Sequence, residues 1–209
     1  MDSRFDQFAL EESALLQEAN HRFSNHLAML VAMLDREADL TPLREVRARI
    51  AGHVEALALL HRLLAMGAET RLLDAGSYVS ELCGHLNKAY LESHGIGCRV
   101  ETVTALLPTD RCRYVGLIVN ELVTNAAKHA FPNGEAGTIT VALRRRDNIW
   151  TVVVADDGVG INSRDHATVG MGLKLVRTLA DALGARCVCR SSGAGTTVAL
   201  RFRTTQANR

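Results

Sequence analysis

The stretch from Asn120 to Phe131, NELVTNAAKHAF, decides how this chain is read. Leu117, Ile118, Leu122, Val123 and Ala126 recur at the three-and-four spacing of a buried helical face, while Glu121, Asn125 and Lys128 fall together on another. One helix therefore carries an apolar underside and a row of acid, amide and amine. Groups so placed can hold a hydrated Mg²⁺ and the phosphates of a nucleotide, because Mg²⁺ takes oxygen ligands and keeps several waters. An ordinary amphipathic helix with a solvated face has the same pattern, so the neighbouring sequence has to decide.

Downstream, Gly137 to Arg146 puts Ile139, Val141 and Leu143 on one face of a strand. Ile149 to Ala155 supplies a second strand, and the short Asp147-Asn148 connection makes the two a hairpin. That second strand runs into Asp156-Asp157-Gly158-Val159-Gly160. A carboxylate fixed at a strand end and followed by two glycines can accept a hydrogen bond from an exocyclic amine while a flat ring, such as adenine, approaches the backbone. A plain turn is the simpler account of the same residues. Gly170-Met171-Gly172 then opens a helix over Leu173 to Leu183, where exposed backbone N–H groups can bind phosphate. The polar, irregular stretch Ile161 to Val169 reads as a lid. Two further strands, Arg186 to Ser191 and Thr196 to Arg203, are joined by the Gly193-Ala194-Gly195 turn.

Upstream, Pro108-Thr109-Asp110 is the start signal for the central helix. Arg71 to Asp74 reads as a short edge strand, Gly76 to Leu91 as a helix through Val79, Leu82, Leu86 and Ala89, and Gly97 to Val103 as a strand. Helices and mostly antiparallel strands in this order predict a two-layer α+β domain, an α/β sandwich with its helices on one face, over residues 69–209.

Residues 1–68 have a different texture. Between Ala9 and Arg36 there is no Gly or Pro, and Leu16, Phe23, Leu27, Leu30 and Leu34 trace one seam of a long helix. Thr41-Pro42 starts a second helix through Leu43, Val46, Ile50, Val54, Leu57, Leu60 and Leu64. The expectation is an antiparallel helical hairpin whose seam is completed by a second copy, giving a four-helix bundle in a homodimer. His21 stands one residue beyond the seam position of Asn20 and faces sideways, with Asn25 one turn on and Glu18 one turn back. A surface histidine in a polar stripe has the same features.

The bulk composition removes other classes. A formal net charge of +1 over 209 residues, with no long basic run, argues against nucleic-acid binding. No apolar run approaches the roughly twenty residues of a membrane span, and the first residues, MDSRFDQFALEES, are acidic where a signal peptide is basic, which predicts a cytoplasmic protein. Five cysteines without a CxxC pair predict reduced thiols.

Taken in order, these motifs resemble a two-component histidine kinase, with the ATP-binding fold shared by gyrase B, mismatch-repair ATPases and the large heat-shock chaperone. NELVTNAAKHAFP is close to that family's N-box, DDGVG to its first glycine box and GMGLKLV to its second. HRFSNHLAML resembles the phospho-acceptor box of the HR-type kinases, a group related to the HWE kinases. The resemblance covers roughly Leu15 to Arg203.

What the resemblance implies is an enzyme that autophosphorylates His21 from Mg-ATP and passes the phosphoryl group to an aspartate in the receiver domain of a response regulator. Asn125 would bind Mg²⁺, with Glu121 and Lys128 near the phosphates. Asp156 would accept from the adenine amine with Thr196 beside it, and Gly158, Gly160, Gly170 and Gly172 would shape the pocket and lid. His21, Glu121 and Asn25 form the implied catalytic set. A free histidine titrates near pH 6.5, so a neutral ring nitrogen is available to attack an in-line phosphorus.

The chain departs from the family pattern at several positions. Asn20, Ser24 and His26 replace more frequent residues, and Arg22 stands where the commoner kinase class has an acid, which leaves Glu18 or Glu121 as base, or a transfer that needs no strong base. About twenty residues precede His21, so the input is expected from a separate sensor protein, from a sensor missing here, or through a phosphorelay. Two alternative functions are a phosphorelay phosphotransferase or scaffold without ATP activity and an anti-sigma factor serine kinase.

Overall fold

An apolar residue at every second position of three adjoining segments builds the centre of a sheet. The computed structural model describes residues 54, 72–161 and 171–204. In it, strands β4 (Gly137–Arg146), β5 (Ile149–Asp156) and β7 (Gly195–Arg203) lie side by side in antiparallel register. Val141 pairs with Val154 and Val154 with Val198; Leu143 pairs with Val152 and Val152 with Leu200. All six side chains are buried, as is Trp150 opposite Phe202. The rings of Trp150 and Phe202 stack with centroids 6.3 Å apart and planes 5° from parallel.

Strand β6 (Arg186–Ser192) closes one edge antiparallel to β7, and β2 (Ile96–Thr102) closes the other in parallel with β4. The order is β2-β4-β5-β7-β6. A separate two-stranded ribbon joins β1 (Leu72–Asp74) to β3 (Leu106–Pro108). The β3 strand was not anticipated, because three residues ending in proline carry no alternation to read.

Helices α1 (Ala75–Leu86), α2 (Thr109–His129) and α3 (Met171–Leu183) cover the apolar face of the sheet, with α2 in contact with both others. This is the expected two-layer α+β arrangement. The expected helix to Leu91 ends differently. After Leu86 the chain widens into a π-helical turn, Asn87–Leu91, and a 3₁₀ turn, Glu92–His94, before Gly95 reverses it at φ 67°. Leu91 is completely buried at the end of the wider turn.

The chain divides into two units, Met1–Ala51 and Gly52–Arg209, and the described residues belong to the second. The expected helical hairpin, apart from Val54, and the expected boundary between residues 68 and 69 lie outside the described residues. Among the described residues no helix is long and apolar enough to cross a membrane. All five cysteines are free; Cys83 and Cys112 are buried and Cys189 is exposed. Burial first, then the charges of Asp110 and Asp74, push the Cys112 thiol up to about 12.

Candidate functional site

The site is built where the last turn of α2 meets the loop leaving β5. The polar row of α2 runs from the interior to the surface: Glu121 is completely buried, whereas Asn125 and Lys128 are half-buried. Asn120, beside Glu121, is also fully buried. Neither atom of the Asn120 carboxamide has a hydrogen-bond partner among the described residues. The sequence pattern had treated Glu121, Asn125 and Lys128 as one face, and their burial shows that this face is graded.

Asp156 ends β5 on the helix-facing side of the sheet, two residues beyond the buried Val154. Its Oδ1 accepts hydrogen bonds from the backbone N–H of Gly158 and of Thr196, both at 3.1 Å. Its Oδ2 has no partner among the described residues. A carboxylate anchored by one oxygen and open at the other is suited to receive an N–H donor from a ligand.

The following turn is fixed on both sides. Val159 N–H donates to the carbonyl of Ala130, just past α2, at 3.0 Å. Gly158 packs so tightly there that a Cβ would lie 2.2 Å from the Ala130 carbonyl oxygen. Gly160 has φ 72°, and a Cβ on it would lie 2.0 Å from the carbonyl oxygen of Ser192. These two glycines are required by the protein's own backbone, whatever approaches the turn from outside.

Thr196 stands next to Asp156, as the family resemblance implied, and its hydroxyl lies 3.0 Å from that of Ser191. Ser191 Oγ in turn accepts from Ile161 N–H at 2.7 Å. Ser191 was not singled out from sequence, because a serine near the end of an exposed strand has no distinguishing pattern. Asp157 was also passed over. Its Oδ1 accepts from Thr138 N–H at 2.7 Å, and the doubled acid of Asp156-Asp157 was the available signal.

The structure thus brings together Asp156, Gly158, Gly160 and Thr196, with α2 tied to them through Ala130. Gly172 lies in the first turn of α3. His21, Asn25 and Gly170 lie outside the described residues. Among the described residues there is no group of three or more His, Cys, Asp or Glu side chains that could cage a metal ion.

Comparison with known proteins agrees with this geometry. Residues 18–90 match the family described as histidine kinase, and residues 113–206 match the histidine kinase-, DNA gyrase B-, and HSP90-like ATPase family. A blue-light-activated histidine kinase 2 of Erythrobacter litoralis is 30% identical over 203 residues, covering 91% of this chain. The sensor histidine kinase PdtaS of Mycobacterium tuberculosis is 28% identical over 185 residues, covering 86% of this chain. The chain spans 57% and 37% of the length of these two relatives. The solved histidine kinase domain from the Erythrobacter litoralis EL346 blue-light activated histidine kinase superposes with a TM-score of 0.71 at 28% identity, over 90% of this chain and 92% of that one. With the two matches side by side, and the second lying on the sheet and helices that hold Asp156, the chain carries the paired domains of a two-component sensor histidine kinase core.

Proposed function

We propose that this chain binds Mg-ATP at the Asp156 site, autophosphorylates on His21, and transfers the phosphoryl group to an aspartate in the receiver domain of a response regulator. The observation that carries the reading is the half-committed carboxylate of Asp156. Two backbone N–H groups hold Oδ1, and Oδ2 is left to accept from the exocyclic amine of adenine. Thr196 lies beside it to support the same edge of the ring.

Asn125 and Lys128, half-buried on the α2 flank, would meet the phosphates. The Asn125 carboxamide oxygen suits Mg²⁺, which binds through one or two protein oxygens together with phosphates and water, and needs no protein cage. Bound there, Mg²⁺ would neutralise charge on the phosphates. Gly172, in the first turn of α3, and Gly170, two residues before it in sequence, would present backbone N–H groups to the same charge.

In the transfer a ring nitrogen of neutral His21 forms a bond to the γ-phosphorus while the bond to the β,γ-bridging oxygen breaks, and ADP leaves. The proton on the second ring nitrogen passes to a carboxylate, with Glu121 or Glu18 as base and Asn25 supporting the ring. The working unit is a homodimer joined through the hairpin, acting in the cytoplasm and taking its input from a sensor, in the same or a separate protein.

The test is autophosphorylation from γ-labelled ATP with wild type, His21→Gln and Asn125→Ala side by side. Wild type should carry acid-labile, base-stable label, His21→Gln none, and Asn125→Ala little or none. Equal labelling of His21→Gln would end the proposal, and acid-stable label would point to serine instead.

A further inference from the structure

We propose that Asp157 is a positioning residue, whose carboxylate fixes Asp156 by standing in for a backbone carbonyl in the sheet. The inference rests on the reading of Asp156 as the adenine acceptor and assigns a distinct task to the acid beside it.

The ladder between β4 and β5 explains why. Its last regular pair is Ile139 with Asp156. One step further, Thr138 and Asp157 would form a hydrogen-bonded antiparallel pair, in which each residue's N–H donates to the other's carbonyl. Half of that pair is present, since Asp157 N–H donates to the Thr138 carbonyl at 3.3 Å. The other half is replaced: Thr138 N–H donates to Asp157 Oδ1 at 2.7 Å. The side chain takes the acceptor position that the Asp157 carbonyl gives up when the backbone turns away toward Gly158. The ladder gains one more rung while the chain has already begun to turn.

Asp156 is consequently braced from two directions. On the β7 side Thr196 N–H holds its carboxylate, and on the β4 side the Asp157 clamp holds its peptide. The next residues are held as well, because Gly158 N–H donates to Asp156 Oδ1 and Val159 N–H to the Ala130 carbonyl. Without the Asp157 carboxylate the Thr138 N–H would lose its acceptor, and the β4 side of the turn would be secured by one main-chain hydrogen bond.

The requirement is for an acceptor oxygen at this place and not for negative charge. Asparagine offers the same oxygen, whereas alanine offers none. This separates a positioning role from direct contact with nucleotide or metal, for which loss of charge would matter.

The experiment uses the full chain, with Mg-ATP titrated calorimetrically into wild type, Asp157→Ala, Asp157→Asn and Asp156→Ala, and with amide hydrogen exchange followed at Thr138. Emission from Trp150, the only tryptophan and completely buried, checks that each variant is folded. Asp157→Ala should bind about tenfold more weakly, the loss expected for one hydrogen bond to a charged acceptor, and Thr138 should lose protection. Asp157→Asn should stay within about twofold of wild type with Thr138 still protected. The proposal is overturned if Asp157→Ala keeps both its affinity and its Thr138 protection, or if Asp157→Asn is as impaired as Asp157→Ala. Should Asp157→Ala not fold, Asp157→Asn decides, because exposure of its Thr138 amide refutes the clamp. Failure of wild type to bind Mg-ATP would sink the nucleotide reading, and Thr138 exchange would still judge the clamp.

Discussion

Asp74 and Asp156 lie on different strands, far apart in sequence, and use the same local device for different purposes. Each ends a strand and is followed two residues later by a glycine. Each accepts from that glycine's N–H, at 3.3 Å for Asp74 and 3.1 Å for Asp156. Each also reaches a distant backbone N–H through the same oxygen: Ala105 at 2.8 Å in one case and Thr196 at 3.1 Å in the other. The difference lies in the second oxygen. Asp74 Oδ2 is occupied by the N–H and hydroxyl of Ser77, and the carboxylate acts as the N-cap of α1. Asp156 Oδ2 faces no donor among the described residues, and the next helix among those residues is α3, from Met171. A saturated carboxylate holds the fold, whereas a half-saturated one is available to a ligand.

The largest effect should come from removing each carboxylate in turn. Asp156→Ala should weaken Mg-ATP binding by about a hundredfold, as expected when a charged acceptor is lost from the edge of the ring that it shares with Thr196. Asp74→Ala should leave the affinity unchanged and cost about 1 kcal/mol of stability through the lost N-cap. Calorimetric titration and thermal melts of the two variants separate these outcomes. Equal loss of affinity in both would show that the free oxygen does not distinguish them.

Much of this contrast was hidden from sequence, for a definite reason. Periodicity reports which side of an element faces the core, so β4, β5, β7 and α2 were all legible from their apolar spacing, and Asp156 from its place at a strand end. Saturation of a carboxylate depends on N–H groups far away in the chain. Ala105 is 31 residues from Asp74, and Thr196 is 40 residues from Asp156. The same limit hid β3, whose pairing with β1 is non-local, and the tie between Ser191 and Ile161. Glu121 was legible as part of a polar row but not as a buried group, because its burial is set by what packs over the helix.

Glycine substitutions sharpen the comparison at a smaller scale. A Cβ on Gly76 would lie 2.3 Å from the carbonyl oxygen of Val103, much as one on Gly158 would meet Ala130 at 2.2 Å. In both places the obstacle is backbone, which cannot swing aside, so Gly76→Ala and Gly158→Ala should each destabilise by about 1–3 kcal/mol. Only Gly158→Ala should also weaken Mg-ATP binding, by about tenfold, since the displaced turn carries Asp156 with it. Melting curves and nucleotide titrations of the two variants provide the check. Unchanged affinity in folded Gly158→Ala would mean that Asp156 holds its place without the Ala130 contact.

The smallest effect concerns acid. Burial raises the Asp74 carboxyl, but the hydroxyl of Ser77 and the N–H groups of Ala105, Ser77 and Gly76 outweigh it and hold the group below its ordinary value. The unfolded chain, with a carboxyl near the usual pKa of about 3.9, therefore takes up the proton first. The stabilisation from ionised Asp74 is complete above that value and disappears as pH falls through the lower folded-state value. Asparagine keeps a capping oxygen without the charge. Wild type should thus be more stable than Asp74→Asn by a constant margin from neutral pH down to about pH 5, and the margin should close below about pH 4. Carboxylates elsewhere act on both proteins alike and cancel in the difference. A margin that stayed constant through this acid range would mean that the N–H and hydroxyl donors around Asp74 do not distinguish carboxylate from carboxamide, and that its saturation is a matter of geometry alone.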